Sequence, residues 1–281
     1  MRPIFNDPAL QAEYDEMGYV VVDFLDQNEV MALADTYKKL NGQPTFSSFA
    51  TSNMSMDTAY RQSVSDSVIS TFTRATEKYL NDCRMFFGIF TSKQPSNERS
   101  LCPMHQDPTY VDESLYTSLT IWVPLIDTNE INGALEVMDR SHLLNGSPRS
   151  TLPRFPYPEF ASHMTENYYK RLDMKAGQAY IGNSKVFHWS PSNMSDTERV
   201  AALAWLSENE STMRCYYQDY QNPGDIMEVF EVDASHYIQT PLFSRPDETK
   251  FRKIGEVPYE FEKLTEERMK AILDPASNVI I

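Results

Sequence analysis

The 281-residue sequence predicts a mainly β protein, a double-sheet β-barrel with helices against one face. Three observations support this fold class. Helical spacing of apolar residues is confined to the first third of the chain and to a stretch near its C-terminus. Short segments rich in β-forming residues follow one another from about residue 84 to about residue 207. The segment from Val200 to Leu206 is apolar on both faces, as a central buried strand is.

The length allows a sizeable core, built as one large domain or two small ones. We expect a single domain over residues 1–281. N-terminal helices are expected in about 8–82 and the β core in about 84–207. A C-terminal extension is expected in about 208–281.

Three helices are expected before the β-rich part, each from apolar residues at helical spacing. They cover residues 8–18, a stretch capped by Asp26 or Asn28, and residues 66–82. Gly18 is expected to end the first helix, and a strand over 19–22 separates it from the second. Residues 45–66 are polar and rich in Ser, Thr and Met, which predicts a loop. A terminal helix is expected over 258–273.

Alternation of apolar and polar residues predicts a series of strands. They cover residues 86–90, 115–127, 134–138, 168–174, 179–181, 186–189 and 200–206. Asn132-Gly133 is a turn dipeptide, so 134–138 is expected to pair with 115–127. Residues 145–160 carry four prolines and are expected to form a surface excursion. His163 and His236 are expected at the surface.

Composition narrows the range of partners. A net charge of −15 argues against a nucleic-acid or anionic-membrane partner. No apolar run approaches the roughly 20 residues that span a bilayer, and the N-terminus has no signal-peptide pattern. The spacing of Cys83, Cys102 and Cys215 suits neither zinc nor a disulfide framework. We therefore expect a cytoplasmic protein with a small-molecule partner, and the oligomeric state is left open.

His105, Asp107 and His188 have the residue types of a mononuclear iron site. Two imidazoles and one carboxylate form the facial triad of non-haem Fe(II) oxygenases, which leaves three positions for cosubstrate and O2. Residues two apart in a strand point to the same face, so His105 and Asp107 can converge on one ion. His188 can reach that ion only if the chain folds into a sheet.

Arg199 begins the apolar segment that ends the β-rich part. Residues of the same parity, Ala201, Leu203 and Trp205, are small or apolar, so its guanidinium is expected to project into a dry interior. An unpaired buried arginine is unfavourable, and a planar guanidinium binds a carboxylate through two hydrogen bonds. We therefore expect an anionic partner such as a keto acid.

The chain resembles the phytanoyl-CoA dioxygenase family of Fe(II)/2-oxoglutarate oxygenases from its first helix to about Trp205. The matching motifs are His105-Gln106-Asp107, Trp122, Asn132-Gly133, Ser141-His142, His188, Ser190, Asn193 and Arg199. The resemblance implies a double-stranded β-helix, or jelly-roll, core with a single iron site. The iron ligands it implies are His105, Asp107 and His188.

The resemblance also implies a cosubstrate pocket beside the iron. Arg199 and Ser190 would hold the far carboxylate of 2-oxoglutarate, and Gln106 and Trp122 would line the pocket. We place Thr120 there as well, because it shares a strand face with Trp122.

The expected activity is oxidation of a small molecule at a C–H bond, with 2-oxoglutarate and O2 consumed and succinate and CO2 released. Hydroxylation, desaturation and oxidative ring closure all remain open, in specialised or amino-acid metabolism. Asp107 favours these over halogenation, because halogenating relatives of this fold have Gly or Ala there. The alternatives are a non-catalytic jelly-roll binding protein and a cupin-like metalloenzyme that does not use 2-oxoglutarate.

Selectivity is expected to lie in loops at the barrel mouth. Residues 145–160, Lys93 and the region after 207 are predicted to form the entrance and lid. Lys93, Arg149 and Arg154 are the candidate substrate contacts. For each of the two arginines a solvated surface position is the alternative.

Overall fold

The computed structural model describes residues 1–40, 48–152 and 154–274. The strands are β1 (Tyr19–Asp23), β2 (Phe49–Thr51), β3 (Cys83–Lys93), β4 (Cys102–His105), β5 (Leu119–Pro124), β6 (Leu135–Met138), β7 (Tyr169–Leu172), β8 (Gln178–Asn183), β9 (His188–Ser190), β10 (Arg199–Glu208), β11 (Arg214–Tyr217), β12 (Ile226–Glu231) and β13 (Arg252–Pro258). The helices are α1 (Pro8–Met17), α2 (Gln27–Leu40), α3 (Thr58–Tyr79), α4 (Ala161–Asn167), α5 (Ala234–Gln239) and α6 (Glu266–Leu273).

Two antiparallel sheets form the core. One has six strands in the order β1-β8-β5-β10-β3-β2, and the other has four in the order β4-β9-β6-β7. A third sheet, β11-β12-β13, is made by the C-terminal part of the chain. The predicted mainly β, jelly-roll fold is confirmed. β10 lies between β5 and β3, in agreement with its apolar character on both faces.

Helices cover the outer face of the six-stranded sheet. Alternate residues of β10, such as Ala202 and Leu206, pack in one cluster with Val64, Val68 and Phe72 of α3. Because side chains alternate along a strand, the other set, beginning with Arg199, faces the space between the two sheets. Among the described residues, no helix is long and apolar enough to cross a bilayer.

The predicted start of α3, near residue 66, lies too late in the chain. The helix starts at Thr58, and β2 also lies within 45–66, so the prediction of a loop or irregular segment is wrong for these two elements. Residues 55–57 are irregular as expected, and residues 45–47 lie outside the described residues. Asp57 caps the helix by accepting a hydrogen bond from the Tyr60 backbone N–H. The buried stripe of α3 includes Arg61 and Ser65, and these polar members concealed its helical period.

The predicted pairing of 134–138 with 115–127 is also wrong. β5 pairs with β8 and β10 in the six-stranded sheet, whereas β6 pairs with β7 and β9 in the other sheet. Asn132-Gly133 therefore lies in a connection between sheets rather than in a hairpin. Gly133 has a φ of +75°, and a Cβ there would lie 2.3 Å from the Pro191 carbonyl oxygen. The turn consequently requires glycine.

The C-terminal part packs against the core. Phe230 and Phe251 share a buried cluster with Phe86 and Phe87 of β3. The expected helix over 258–273 is shorter, since α6 begins only after Thr265, which caps it. The loop 145–160 is not a surface excursion throughout. Several of its residues are buried, namely Asn145, Arg149, Ser150 and Tyr157.

His236 is buried rather than exposed, with 3% of its surface accessible. Burial lowers its pKa from 6.5 to about 4. The unfolded chain therefore takes up a proton between these values while the folded chain does not, so stability falls as the pH drops from 6.5 to 4. We expect this residue alone to cost about 2 to 3 kcal/mol of unfolding free energy between pH 7 and pH 4.5.

Denaturant unfolding of a His236→Phe variant at the two pH values tests this. Phenylalanine keeps an aromatic ring at this position, so the ring contacts with Tyr237 and Phe251 are preserved while the titrating nitrogens are lost. The variant should lose less stability on acidification than the natural chain. His163→Phe, at an exposed position, is the control and should behave like the natural chain. Equal acid sensitivity in all three proteins would contradict the prediction.

Candidate metal centre and cosubstrate pocket

Two paired strands bring the histidines together. His105 ends β4 and His188 begins β9, and the two residues are direct partners in the antiparallel ladder. Their ring centroids lie 4.3 Å apart. Asp107 follows just beyond β4, where its backbone N–H donates to the Ser184 carbonyl oxygen at 2.9 Å. Asp107 and His188, which are 81 positions apart in the sequence, thus meet at one edge of the four-stranded sheet.

The three side chains point their ligand atoms at one centre. One ligand atom from each residue lies within 4.8 Å of the others. Asp107 Oδ1 is 3.9 Å from His105 Nε2 and 4.0 Å from His188 Nε2. The opposite ring nitrogen of each histidine, Nδ1, lies against a backbone carbonyl, of Pro103 at 2.7 Å and of Val186 at 3.0 Å. This arrangement leaves both Nε2 lone pairs free for a metal.

The protonation state also suits metal binding. Burial, with a smaller contribution from the neighbouring His188, lowers the pKa of His105 to about 4. A neutral imidazole is the form that binds a metal ion. Thr120 Oγ1 donates to Asp107 Oδ2 at 2.5 Å and so directs the other carboxylate oxygen toward the histidines. Thr120 also lines the cavity, as predicted from its strand face.

Arg199 lies in the interior beside this cluster, with 2% of its surface accessible. Its Nη2 is 3.5 Å from Ser190 Oγ, and the guanidinium carbon is 5.4 Å from the centroid of the Trp122 ring. Its Nε has no hydrogen-bond partner, and no carboxylate of the described residues forms an ion pair with it. Burial lowers the Arg199 pKa to about 10, which leaves it charged at neutral pH.

A cavity of about 270 Å³ joins these groups between the two sheets. The three candidate metal ligands, Arg199, Ser190 and Trp122 all line it. A 2-oxo dicarboxylic acid fits the residues present, because its keto-acid end suits a metal and its far carboxylate supplies the anion that buried Arg199 lacks. Two histidines and a carboxylate are the donor set of non-haem Fe(II).

Gln106 does not line the cavity, and that prediction is wrong. Its Nε2 donates to the Lys185 carbonyl oxygen at 2.7 Å, and its Oε1 accepts from Asn145 Nδ2 at 2.9 Å. In a strand-like segment the residue between two inward-facing ligands points the other way. Gln106 therefore links the segment that carries His105 and Asp107 to the loop after β6, on the side that faces away from the cavity.

Lys93 is not at the entrance, and that prediction is wrong as well. It is fully buried, and its Nζ donates to the carbonyl oxygens of Ser190, at 2.7 Å, and Pro191. Burial lowers its pKa to about 7, with the Arg199 charge contributing. Lys93 therefore anchors the end of β9 and is not among the residues that line the cavity.

The two candidate arginines of the loop 145–160 also bind other residues of the protein. Arg149 is 1% exposed and forms a two-bond ion pair with Glu113, at 2.6 and 2.9 Å. Its Nε donates to the Asp107 carbonyl oxygen at 2.6 Å. Arg154 is exposed, but it lies over the Tyr259 ring and donates to Gln218. Neither lines the cavity, so neither contacts a substrate there.

Removing the Arg149 charge should destabilise the fold. In Arg149→Met the Glu113 carboxylate would stay buried without its partner, which costs about 3 kcal/mol. The double variant Arg149→Met/Glu113→Leu should recover much of that loss, and Arg154→Met, an exposed change in the same loop, should cost little. Denaturant unfolding measures all three. A double variant no more stable than Arg149→Met would contradict the pairing argument.

Some cavity residues were missed by sequence reasoning. From the β2 region and β8 they are Asn53, Met54 and Tyr180. Leu242 and Phe243 belong to the region after 207, which was expected at the entrance as a whole but without named residues. The only available signal was the apolar pair Leu242-Phe243 in an otherwise polar stretch. The others are ordinary core or loop residues whose position depends on distant strands.

A jelly-roll of antiparallel sheets with two histidines, an aspartate and a buried arginine inside it defines the class of 2-oxoglutarate-dependent dioxygenases. The sequence model of the phytanoyl-CoA dioxygenase family matches residues 14–201. The chain belongs to this family, and the protein is accordingly an enzyme of the 2-oxoglutarate-dependent class that uses iron and 2-oxoglutarate. No curated protein matches the sequence at a significant level.

Solved structures share the fold at low sequence identity. SnoK, a non-haem α-ketoglutarate-dependent carbocyclase from nogalamycin biosynthesis, superposes with a TM-score of 0.56 at 19% identity, covering 78% of this chain and 92% of its own. HygX from Streptomyces hygroscopicus, with nickel and 2-oxoglutarate bound, has a TM-score of 0.52 at 12% identity, with 73% and 88% covered. EctD from S. alaskensis has a TM-score of 0.51 at 15% identity, with 74% and 79% covered.

Proposed function

We propose that this enzyme oxidises a C–H bond of a small-molecule substrate by hydroxylation, desaturation or ring closure, the reactions that Asp107 favours over halogenation. Succinate and CO2 are the coproducts of 2-oxoglutarate. The observation that carries the proposal is Arg199, a buried cation that has no anionic partner among the described residues, in the same cavity as the metal-ligand cluster. Carbocycle formation by SnoK supports the broader range of oxidations on this fold.

The proposed ligands of iron are His105, Asp107 and His188. Arg199 would bind the far carboxylate of 2-oxoglutarate, with the Ser190 hydroxyl beside it. When bound, iron together with 2-oxoglutarate and O2 supplies the oxidising power that breaks the C–H bond.

The protein's own residues position the reactants and exclude water. Trp122 covers one face of the Arg199 guanidinium and keeps it dry, which strengthens its attraction for a carboxylate. Thr120 holds the Asp107 carboxylate in one orientation. We also infer that the chain acts as one catalytic unit, because the C-terminal extension contributes Leu242 and Phe243 to the cavity.

The test is binding and consumption of 2-oxoglutarate. Anaerobic protein loaded with Fe(II) should develop a visible charge-transfer absorption on titration with 2-oxoglutarate, and it should form succinate slowly when O2 is admitted. Pyruvate, which lacks the far carboxylate, is the matched control and should bind more weakly. Absorption without succinate, even with substrate candidates present, would identify a non-catalytic binding protein. No response to 2-oxoglutarate at all would indicate a metalloenzyme that does not use it.

A further inference from the structure

The cavity runs along β10 from Arg199 to Trp205. Trp205 lies six residues along β10 from Arg199, about 20 Å at the usual rise per residue. It is the ladder partner of Thr120, which holds Asp107, so the cluster lies toward the Trp205 end. Tyr110 and Trp205 form part of the cavity wall there, with their ring centroids 5.6 Å apart.

Four apolar side chains from three separate loops, Met54, Leu152, Leu242 and Phe243, surround this end, and we call them the rim. All four line the cavity. Met54 and Leu152 are also 49% and 47% exposed, so they face both solvent and cavity. Exposed apolar side chains gathered at a cavity mouth are typical of a ligand-binding surface.

Phe243 has an unusual backbone conformation. Its φ is +67°, a region that a bulky side chain rarely adopts. Such strain persists only where the surroundings enforce it, and it is found preferentially at ligand-binding sites. Phe243 therefore provides an observation on the rim that is independent of its apolar composition.

Charge is scarce in this cavity. Among the described lining residues, apart from the two histidines, the ionisable acids and bases with a charge at neutral pH are Asp107 and Arg199. Both already have a place in the proposed site. A substrate charge would enter without a counterion, and transfer of an unpaired charge out of water is strongly unfavourable.

We propose that the substrate is an uncharged, mainly apolar small molecule that packs against the rim and the Tyr110–Trp205 wall. This inference rests on the proposed function, since it concerns the open end of the same site. The chain's net charge of −15 acts in the same direction against an anionic substrate.

Intrinsic fluorescence offers a direct readout, because the chain's three tryptophans, Trp122, Trp189 and Trp205, all line the cavity. The probes are 1-adamantanol, 1-adamantanecarboxylate and 1-adamantylammonium, which share one hydrocarbon cage and differ in charge. They are titrated into protein loaded with Fe(II) and saturating 2-oxoglutarate under argon, with calorimetry as a second measurement. The alcohol should bind at least about tenfold more tightly than either ion.

A charge placed on the rim should alter that preference. Leu152→Arg should raise the affinity for the carboxylate relative to the alcohol about threefold, because an exposed ion pair is worth up to about 1 kcal/mol. Leu143→Arg is the matched control: Leu143 is 46% exposed, much like Leu152, but does not line the cavity. It should leave the ratio unchanged.

Either charged probe binding as tightly as the alcohol would overturn the inference, and so would failure of all three probes to bind. An effect of Leu143→Arg equal to that of Leu152→Arg would remove the rim from the site. Calorimetry with 2-oxoglutarate alone distinguishes a failure of the proposed function from a failure of the proposed substrate class. If 2-oxoglutarate does not bind, the proposed function fails; if it binds and the probe preference is wrong, only the substrate class fails.

Discussion

Arg199→Leu is expected to lose 2-oxoglutarate binding by about 1,000-fold while the protein remains folded. A buried charge that binds a ligand carboxylate contributes about 2 to 5 kcal/mol when its removal leaves the carboxylate unpaired. In the structure the same side chain is buried, it has no anionic partner among the described residues, and its Nε lacks a hydrogen-bond partner. Removal of this buried charge should outweigh the smaller volume of leucine, so the fold should be as stable as before or more so.

This opposite effect on binding and stability makes the test specific. Calorimetry with 2-oxoglutarate measures the first quantity and thermal unfolding without ligands measures the second. Arg199→Lys is the control, since it keeps the charge but loses the planar, two-bond geometry, and its loss should be intermediate. A melting temperature that falls steeply in Arg199→Leu with unchanged 2-oxoglutarate binding would mean that the arginine is structural.

Asp107→Ala is expected to weaken Fe(II) binding by more than about 100-fold and to abolish succinate formation. Loss of a residue that merely orients a metal ligand typically costs 10- to 100-fold in affinity, so loss of a ligand should cost more. Asp107 contributes the only carboxylate of the described candidate cluster. Without it the two histidines would have to hold the ion alone.

Two further variants calibrate the effect. Thr120→Val removes the hydroxyl that orients Asp107 and should weaken Fe(II) binding about tenfold, with all three ligands still present. Asp196→Ala, an exposed aspartate, should leave metal binding unchanged. Equilibrium competition with a metal chelator measures all three proteins. In chloride-free buffer, where no added anion replaces the missing carboxylate, iron binding in Asp107→Ala as tight as in the natural chain would place the metal elsewhere.

Much of the β core was predictable because its sequence carries the period of its structure. β10 is apolar on both faces and is central, and the strand containing Trp122 alternates as expected. The convergence of His105 and Asp107 followed from their spacing along one strand. The metal and cosubstrate roles of these residues stay predictions until the experiments above are done.

The failures have a common physical origin in contacts between distant segments. Gln106 was expected in the pocket, but the residue between two inward-facing ligands points outward. There its side chain accepts a hydrogen bond from Asn145. Arg149 looked like a loop arginine because its partner, Glu113, lies in a different segment. Lys93 donates hydrogen bonds to backbone carbonyl oxygens. Because every residue has such a carbonyl, the sequence could not indicate these partners.

The sequence by itself determined the class of fold, the identity of the candidate metal ligands and the position of a buried arginine, because strand periodicity and metal-donor chemistry are local properties. Only the tertiary structure decided which charges remain free inside the cavity and which side chains close its mouth. Those properties depend on the packing of β2, the loop after β6 and the C-terminal extension around one space. Their side chains meet there although they are far apart along the chain.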